Sequence, residues 1–300
     1  MSPEVPEVGA APRVWVIVLT HGGAEQITAD CIESLLKQDY GALTVLLVDN
    51  ASFDGSGARL RDRFPDIEYL NTGGNLGYAG GNNRGMRLAL DRGAEFLLVL
   101  NNDTIVDATC VSWLVRSAQR QPTKLGAIAP KILYFDDPAR IWYAGGDYVG
   151  FKILGMHRRE GELDDPKEAE GLEPITFATG CCFLMPAAAA RAVGLFAEDF
   201  FSYAEDVDLS LRMNRAGYSM YYQPAARLYH REPPGPVHAT PFQIRLRDRN
   251  RRRIARRLGA VDRVKFAVWF FPTRMVRLAQ YTMKRDWGRV RALVAGMTEQ

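Results

Sequence analysis

Apolar positions in the first third of the chain come in short solid runs separated by helical spacings. Val14 to Leu19 is the first run, and it stops at the turn Thr20-His21-Gly22-Gly23; Ile27, Cys31, Ile32, Leu35 and Leu36 then recur at the interval of a helix face. Val45 to Val48 repeats the strand signal and stops at Asp49-Asn50-Ala51-Ser52, with Asp54-Gly55-Ser56 opening a second helix. A third strand, Ile67 to Leu70, runs into the small and polar stretch Asn71 to Asn83, and a helix follows to about Leu90. Phe96 to Leu100 then drives a large apolar run straight into Asn101-Asn102-Asp103-Thr104. Solid strands alternating with helices predict an α/β fold with a central, mostly parallel, doubly wound sheet and right-handed crossovers. Ligands of such sheets sit beyond the carboxyl ends of the strands, which puts Asp103 in the crevice. The alternative is a plain loop, in which Asn102, Asp103 and Thr104 satisfy backbone donors ahead of a helix starting near Thr109.

Beyond Ala127 the alternation breaks down. Ile141 to Val149 reads as an aromatic hairpin, Gly161 to Glu173 as a polar acidic loop, and Thr176 to Met185 as a strand, with Pro186 opening a short alanine helix. This predicts an antiparallel extension of the same sheet that carries specificity loops. Phe200 to Arg212 then sets Glu205, Asp206 and Asp208 in one turn at a helix start. The helix dipole and an ion pair from Asp208 to Arg212 account for Asp208. They account less well for the aromatic-flanked Glu205-Asp206, because paired carboxylates beside a cleft are what general-base chemistry uses. Ser219 to Tyr222 and Ala226 to Tyr229 read as two short strands, the second ending at His230, a lone histidine that stays structural unless a carboxylate lies nearby. The glycine-rich stretch Asn71 to Asn83 could present backbone N–H groups to a phosphate. It lacks G-x-G-x-x-G, follows the third strand and has no Walker lysine, so glycines for tight turns are the competing reading.

Composition narrows the class. With 47% hydrophobic and 24% charged residues over 300 positions, the chain is an ordinary soluble globular one with a full-sized core. The net charge is only +3, yet Arg245 to Arg257 holds 8 arginines in 13 positions, which points to an anionic partner near the C-terminus. Phe242 to Leu258 and Val264 to Met283 mix basic residues with Ile244, Leu246, Ile254, Phe266, Trp269, Phe270, Phe271 and Met275, as expected of basic amphipathic helices lying on an anionic leaflet. A solvated face or a dimer contact is the plainer alternative, and nucleic acid is not the expected partner. Cys31, Cys110, Cys181 and Cys182 show no C-x-x-C spacing, which predicts buried thiols in a reducing compartment. The opening dozen residues carry acids and prolines where a signal peptide needs positive charge and an apolar run, and no run is long enough to span a membrane. The expected location is cytoplasmic, peripheral on the inner face of the membrane.

Taken together, the segments VIVLT, LLVDNASFDGS, GGNLGYAGGNNRG, LVLNNDT, FFSYAEDVDLSLRMNRAGY and ARLYH resemble, in that order, the GT-A-fold family-two inverting glycosyltransferases of the rhamnosyltransferase-like branch. The resemblance runs from about Val14 to Arg231. It implies a Rossmann-like GT-A domain over 13–235, made of a nucleotide-sugar half (13–130) and an acceptor half (131–235), between a flexible start (1–12) and a helical tail (236–300). It further implies that Thr20, His21 and Asp49 lie against the nucleotide base and that Asn75, Gly77 and Asn82 line the sugar-nucleotide pocket. Asn101-Asn102-Asp103 takes the place of the metal motif, with Asp103 and His230 as ligands to Mg²⁺ or Mn²⁺. Asp206 falls on the general base, with Glu205 orienting the acceptor. The sequence departs from the family at Asn101, where the motif's first acid stands, and at His21-Gly22, where an aromatic-Asn pair is usual. A leaving nucleoside diphosphate fits a hard cation held by oxygen ligands. The resemblance therefore implies transfer of a sugar, rhamnose first, from a dTDP- or UDP-linked donor to a glycan or lipid-linked acceptor in surface-polysaccharide assembly. A sugar-1-phosphate nucleotidyltransferase, or a non-catalytic binding protein using the basic tail, are the rival functions.

Overall fold

The computed structural model of the protein describes residues 11–121, 124–165, 171–232 and 239–299. Most of the start expected to be flexible (1–12), the centre of the acidic loop at Gly161 to Glu173, and the boundary expected between 235 and 236 lie outside the described residues. The first half alternates as its apolar pattern predicts: β1 (Val14–Thr20), α1 (Glu25–Leu35), β2 (Leu43–Asp49), α2 (Ser56–Arg63), β3 (Glu68–Asn71), α3 (Gly77–Asp91) and β4 (Phe96–Asn101). These four strands lie in the order β4-β1-β2-β3, all parallel. Their interior is dry, with Val16, Ile17, Leu46, Leu47 and Val99 fully buried between helices on the two faces. The register pairs Thr20 with Asp49, Asp49 with Asn71 and Leu19 with Asn101, so the polar residues that end the four strands stand level along one edge. Strand order reverses between β1 and β4, and that reversal opens a crevice at the same edge.

The second half extends the sheet. β5 (Thr104–Val106), α4 (Cys110–Gln119) and β6 (Leu125–Tyr134) are followed by β7 (Ile141–Tyr143), β8 (Gly146–Val149), β9 (Leu154–His157), β10 (Glu173–Ile175), β11 (Cys182–Pro186), α5 (Ala187–Val193), α6 (Glu205–Arg215) and β12 (Ser219–His230). β11 runs antiparallel between β4 and β6, and β12 lies beside β6. Two expectations are corrected here. Ile141 to Val149 is not one hairpin: Gly145, at φ 83, turns the chain so that β7 pairs with β6 while β8 pairs with β9. The two short strands before His230 are one strand whose register slips between Gln223 and Arg227, a bulge that leaves Pro224 unpaired and lets the ladder resume at Arg227. Asn82 and Asn83, read as part of a loop, sit inside α3. All four cysteines are buried free thiols.

The tail folds back onto this body as α7 (Pro241–Arg256), α8 (Ala260–Met283) and α9 (Trp287–Thr298). Thr240 and Gln243 form a capping box at the start of α7. The sequence pattern offered its apolar residues to an outside surface, but Ile244, Leu246, Ile254, Phe266 and Phe270 are buried; Phe271 and Met275 remain exposed. The arginine run is likewise drawn inward in part. Arg257 pairs with Asp208 (2.9 Å) and Asp199 (2.9 Å), Arg249 donates to the Phe200 carbonyl (2.9 Å), and Arg251 Nε donates to the Lys152 carbonyl (2.9 Å).

Candidate active site

At the level edge of the parallel strands the expected donor-side residues form a linked network. His21 accepts or donates at both ring nitrogens, to the Asn50 carbonyl (2.7 Å) and to Asn75 Nδ2 (2.9 Å), and Asn75 Oδ1 accepts from Asn50 Nδ2 (3.1 Å) and from the Gly77 amide (2.9 Å). Asp49 is almost wholly committed: Ser52 N (2.8 Å), Tyr69 Oη (2.7 Å) and Asn71 Nδ2 (2.9 Å) donate to its carboxylate. Burial pushes Asp49 up, but these donors outweigh it and leave it below the ordinary carboxylate value. Gly57 makes room for it, since a Cβ there would stand 2.1 Å from Asp49 Oδ2. Thr20 is buried against Thr28, which also accepts a hydrogen bond from Asn102 Nδ2 (2.8 Å). Asn82 is buried and donates to the Tyr78 carbonyl (3.0 Å), while its Oδ1 has no hydrogen-bond partner among the described residues.

Asp103 leaves the end of β4, and β12 delivers His230 beside it. Asp103 Oδ1 lies 3.2 Å from His230 Nε2. The contact is short, yet Asp103 Oδ1 is buried with no hydrogen bond among the described residues. The separation of the two atoms is close to the ~3 Å between neighbouring ligands of an octahedral Mg²⁺ or Mn²⁺ with bonds of about 2.1 Å. Glu232 Oε2 stands 3.7 Å from His230 Nδ1, and Nδ1 too is buried with no hydrogen-bond partner among the described residues. The residues present therefore fit a hard divalent metal whose shell is completed by substrate oxygens. Among the described residues no third His, Cys, Asp or Glu joins them.

The second pair stands at the start of α6. Glu205 is buried, Glu205 Oε2 has no hydrogen-bond partner among the described residues, and burial together with the adjacent Asp206 raises its carboxyl to about 8. Burial also raises Asp206, against three influences that favour its charge: the Gly180 amide (2.9 Å), the Val207 amide (2.8 Å) and the Arg247 guanidinium. The pair is thus unequal. Glu205, at about 8, keeps its proton at neutral pH, and Asp206 is the member whose donors favour the charged form, which is how a protein gives two neighbouring carboxyls different work.

The chain enters α6 under strain. Phe201, Tyr203 and Ala204 hold φ of 63, 69 and 69, a left-handed region that costs a non-glycine residue about 1–3 kcal/mol. Asn250 of α7 clamps this loop: its Nδ2 donates to the carbonyls of Phe200 (3.0 Å), Ser202 (2.8 Å) and Tyr203 (2.7 Å). From the other side Gly77, at φ 71, admits the loop, because a Cβ there would sit 2.4 Å from the Phe201 oxygen. Neither device was visible in the chain order, where 45 positions separate Asn250 from Glu205.

Both pairs open into one cavity of about 770 Å³, together with Asn101, Gly180, Arg231, Arg247 and the β9 residues Leu154 to His157. Of the twelve expected site residues this cavity gathers Asn101, Asp103, Glu205, Asp206 and His230. Thr20, His21, Asp49, Asn75, Gly77, Asn82 and Asn102 stand off its lining, at the ends of β1 and β2, at the start of and within α3, and beside Asp103. Sequence reasoning missed three contributors. Tyr78 donates to the Gly180 carbonyl (2.6 Å) and fixes the strand of backbone that holds Asp206. Trp142 lies edge-on between His157 (4.4 Å) and His230 (4.6 Å) and sets the plane of the latter; its aromatic stretch was noticeable, its target was not. His157, pushed down to about 4 by burial, stays neutral.

Comparison with known proteins agrees with this geometry. The glycosyl transferase family 2 model matches residues 15–194. A Mycobacterium tuberculosis protein named N-acetylglucosaminyl-diphospho-decaprenol L-rhamnosyltransferase is 32% identical over 207 residues, covering 63% of this chain and 66% of its own length. The low-salt glycan biosynthesis hexosyltransferase of Haloferax volcanii is 28% identical over 222 residues, 73% of this chain and 69% of its own. The alignments thus span about two thirds of these relatives' lengths. Among solved structures, GalNAc-T7 with UDP, GalNAc and Mn²⁺ superposes over 86% of this chain and 50% of its own at a TM-score of 0.68 and 14% identity. The Pyrobaculum calidifontis mannosyltransferase with GDP-Man and Mn²⁺ covers 96% and 86% at 0.54 and 18% identity. At those identities the likeness shows a shared GT-A fold. With a doubly wound sheet, a crevice at its carboxyl edge and a family match over more than half its length, the chain belongs to glycosyl transferase family 2.

Proposed function

We propose that the protein is a metal-dependent, inverting hexosyltransferase that moves a sugar from a nucleoside-diphosphate donor to a glycan or lipid-linked acceptor. dTDP-rhamnose is the donor favoured and UDP-sugars the alternative. The observation that carries the reading is that the Asp103–His230 pair and the Glu205–Asp206 pair open into the same cavity. The Mycobacterium relative, named for rhamnose transfer to a diphospho-decaprenol acceptor, supports the sugar and the lipid-linked acceptor.

Asp103 and His230 would hold Mg²⁺ or Mn²⁺, which neutralises the departing diphosphate. The protein's own groups do the rest. Thr20, His21 and Asp49 are assigned to the nucleotide base and Asn75, Gly77 and Asn82 to the donor's sugar-phosphate side, with Asn101 and Asn102 shaping the turn that aims Asp103. Asp206, the charged member of its pair, takes the proton of the acceptor hydroxyl as that oxygen bonds to the anomeric carbon. The carbon–oxygen bond to the diphosphate breaks on the opposite side, and its electron pair leaves with the phosphate. Glu205, neutral, donates a hydrogen bond that orients the acceptor. The location proposed is the inner face of the cytoplasmic membrane. No helix among the described residues is long and apolar enough to cross a membrane, but Val261, Val264, Val268, Phe271 and Met275 form an exposed apolar stripe along α8, with Arg263 and Lys265 flanking Val264 in the sequence.

The test is transfer from dTDP-rhamnose measured with Mn²⁺, with EDTA, and with Asp206→Asn. EDTA should abolish transfer. Asn keeps the size and capping ability of Asp206 but lacks its basic lone pair, so turnover should fall by roughly 10²- to 10⁴-fold with donor affinity little changed. Turnover within about threefold of wild type, far short of a general base's usual worth, would falsify the assignment.

A further inference from the structure

A second cavity of about 820 Å³ continues from the first, sharing Leu154, Gly155, His157, Tyr203, Glu205, Asp206 and Arg247 with it. Its far side is made by the tail. Lys152, Arg247, Arg251, Arg274 and Arg277 line it, beside Trp269 and Val276. Away from the Glu205–Asp206 pair, Asp248 is the one carboxylate among these lining residues, and it is already engaged. Arg274 grips it through Nε (2.9 Å) and Nη2 (2.5 Å), and Arg251 Nη1 stands 3.8 Å away. Arg251 and Arg274 are both buried, so two guanidinium groups share one negative charge in a desolvated place. Burial, then the neighbouring Arg274, pushes Arg251 down to about 9, the mark of a cation short of counter-charge. Lys152, Arg247 and Arg277 make no ion pair within 4.0 Å among the described residues. Such a chamber wants an anion with more than one charge, and Val276, 58% exposed, carries its lining out to the apolar stripe of α8.

We propose that this chamber binds the diphosphate of a polyprenyl-diphosphate-linked acceptor, with the lipid leaving along α8 and the sugar reaching back to Asp206. The inference rests on the lipid-linked acceptor reading given above. The two shared carboxylates stand at the junction of the cavities, so an acceptor held in the chamber can bring its hydroxyl to the base. The donor's diphosphate then has the Asp103 side to itself, and the two like-charged groups are kept apart.

The proposal is tested by calorimetric titration of the full chain in EDTA, where the metal-dependent donor side is silent, with farnesyl diphosphate, inorganic pyrophosphate and farnesol. Farnesyl diphosphate should bind, and Arg277→Glu and Lys152→Glu, both at the rim, should each weaken it by about tenfold or more, since a reversal removes one attraction and adds one repulsion. Wild-type melting of both variants shows that they fold. Pyrophosphate should bind at least about tenfold more weakly than the prenyl ester, as expected when several apolar carbons are lost from an interface. Equal binding by pyrophosphate, equal binding by farnesol, or indifference to both reversals overturns the proposal. Binding of dTDP-rhamnose with Mn²⁺ to the wild type separates the two readings. If the donor binds and the reversals do nothing, the chamber assignment fails alone; if no nucleotide sugar binds while farnesyl diphosphate does, the transferase reading fails and the chamber stands.

Discussion

Asn250→Ala should disable the catalytic loop from a helix that touches no reacting atom. Asn250 is 0% exposed, and the two hydrogens of its amide nitrogen are shared among three carbonyls, those of Phe200, Ser202 and Tyr203. Each net hydrogen bond is worth about 0.5–1.5 kcal/mol, and a buried carbonyl left without one costs about 1–3 kcal/mol; Phe200 keeps its Arg249 donor, so the loss falls on Ser202 and Tyr203 and removes about 2–4 kcal/mol from this corner. The strain it restrains is of the same order: three residues in the left-handed region at about 1–3 kcal/mol each. Once the clamp is gone the loop has more to gain by relaxing than by staying, and Asp206, two residues beyond Ala204, moves with it. A shift of only about 1.4 kcal/mol toward the relaxed loop lowers the competent fraction tenfold, so turnover should fall by at least that much. At about 2.1 cal/mol/K per residue, the same loss lowers the melting midpoint by roughly 3–6 °C. The assay is turnover and donor affinity on one folded preparation, with Ala204→Gly added to the Asn250→Ala background. Glycine relieves part of the strain at that φ and should recover part of the turnover. Turnover within about threefold of wild type in Asn250→Ala, the loop shift then being well under that 1.4 kcal/mol, would refute the clamp.

Three further outcomes are expected. Asp103→Ala and His230→Ala should each weaken Mn²⁺-dependent donor binding by about tenfold or more, and unchanged affinity in both would remove the metal assignment. Glu205 is held at about 8, so above the ordinary carboxylate value and up to that point the folded protein keeps a proton that the unfolded chain has released; stability falls as pH rises through this window. Glu205→Gln, neutral throughout, should lose less of its melting midpoint than wild type between about pH 5 and about pH 9, and equal losses would show that Glu205 titrates normally. Flotation with anionic vesicles should carry the protein at low salt and less so at high salt, as expected for basic residues near a charged leaflet; absence at both salt levels sinks the membrane proposal.

The parallel half of the fold was legible because its information is local. A solid apolar strand ending in a polar cluster says both where the strand lies and which end faces the ligand, and Asp103 was singled out that way; Asp206 came instead from carboxylates crowded at a helix start. What stayed hidden depends on distance along the chain. The split of Ile141 to Val149 between two sheets turns on the backbone at Gly145, and the fusion of the two short strands turns on a bulge that keeps Pro224 off the ladder. The tail misled for a different reason. Arginines beside aromatics read as a surface for something outside, yet Arg251 and Arg274 lie 4.9 and 5.3 Å over Trp269, and Phe266 and Phe270 are buried. Amphipathic spacing names the apolar face of a helix and leaves open whether a bilayer or the protein's own flank covers it.

One hydrogen bond has a wider meaning. Gly180, whose amide holds Asp206 at 2.9 Å, lies within residues 15–194, which the family model matches, whereas Asp206, His230, Asn250 and the arginines of the cationic chamber lie after them. The carboxylate proposed as the base therefore stands outside that span and is held by an amide inside it.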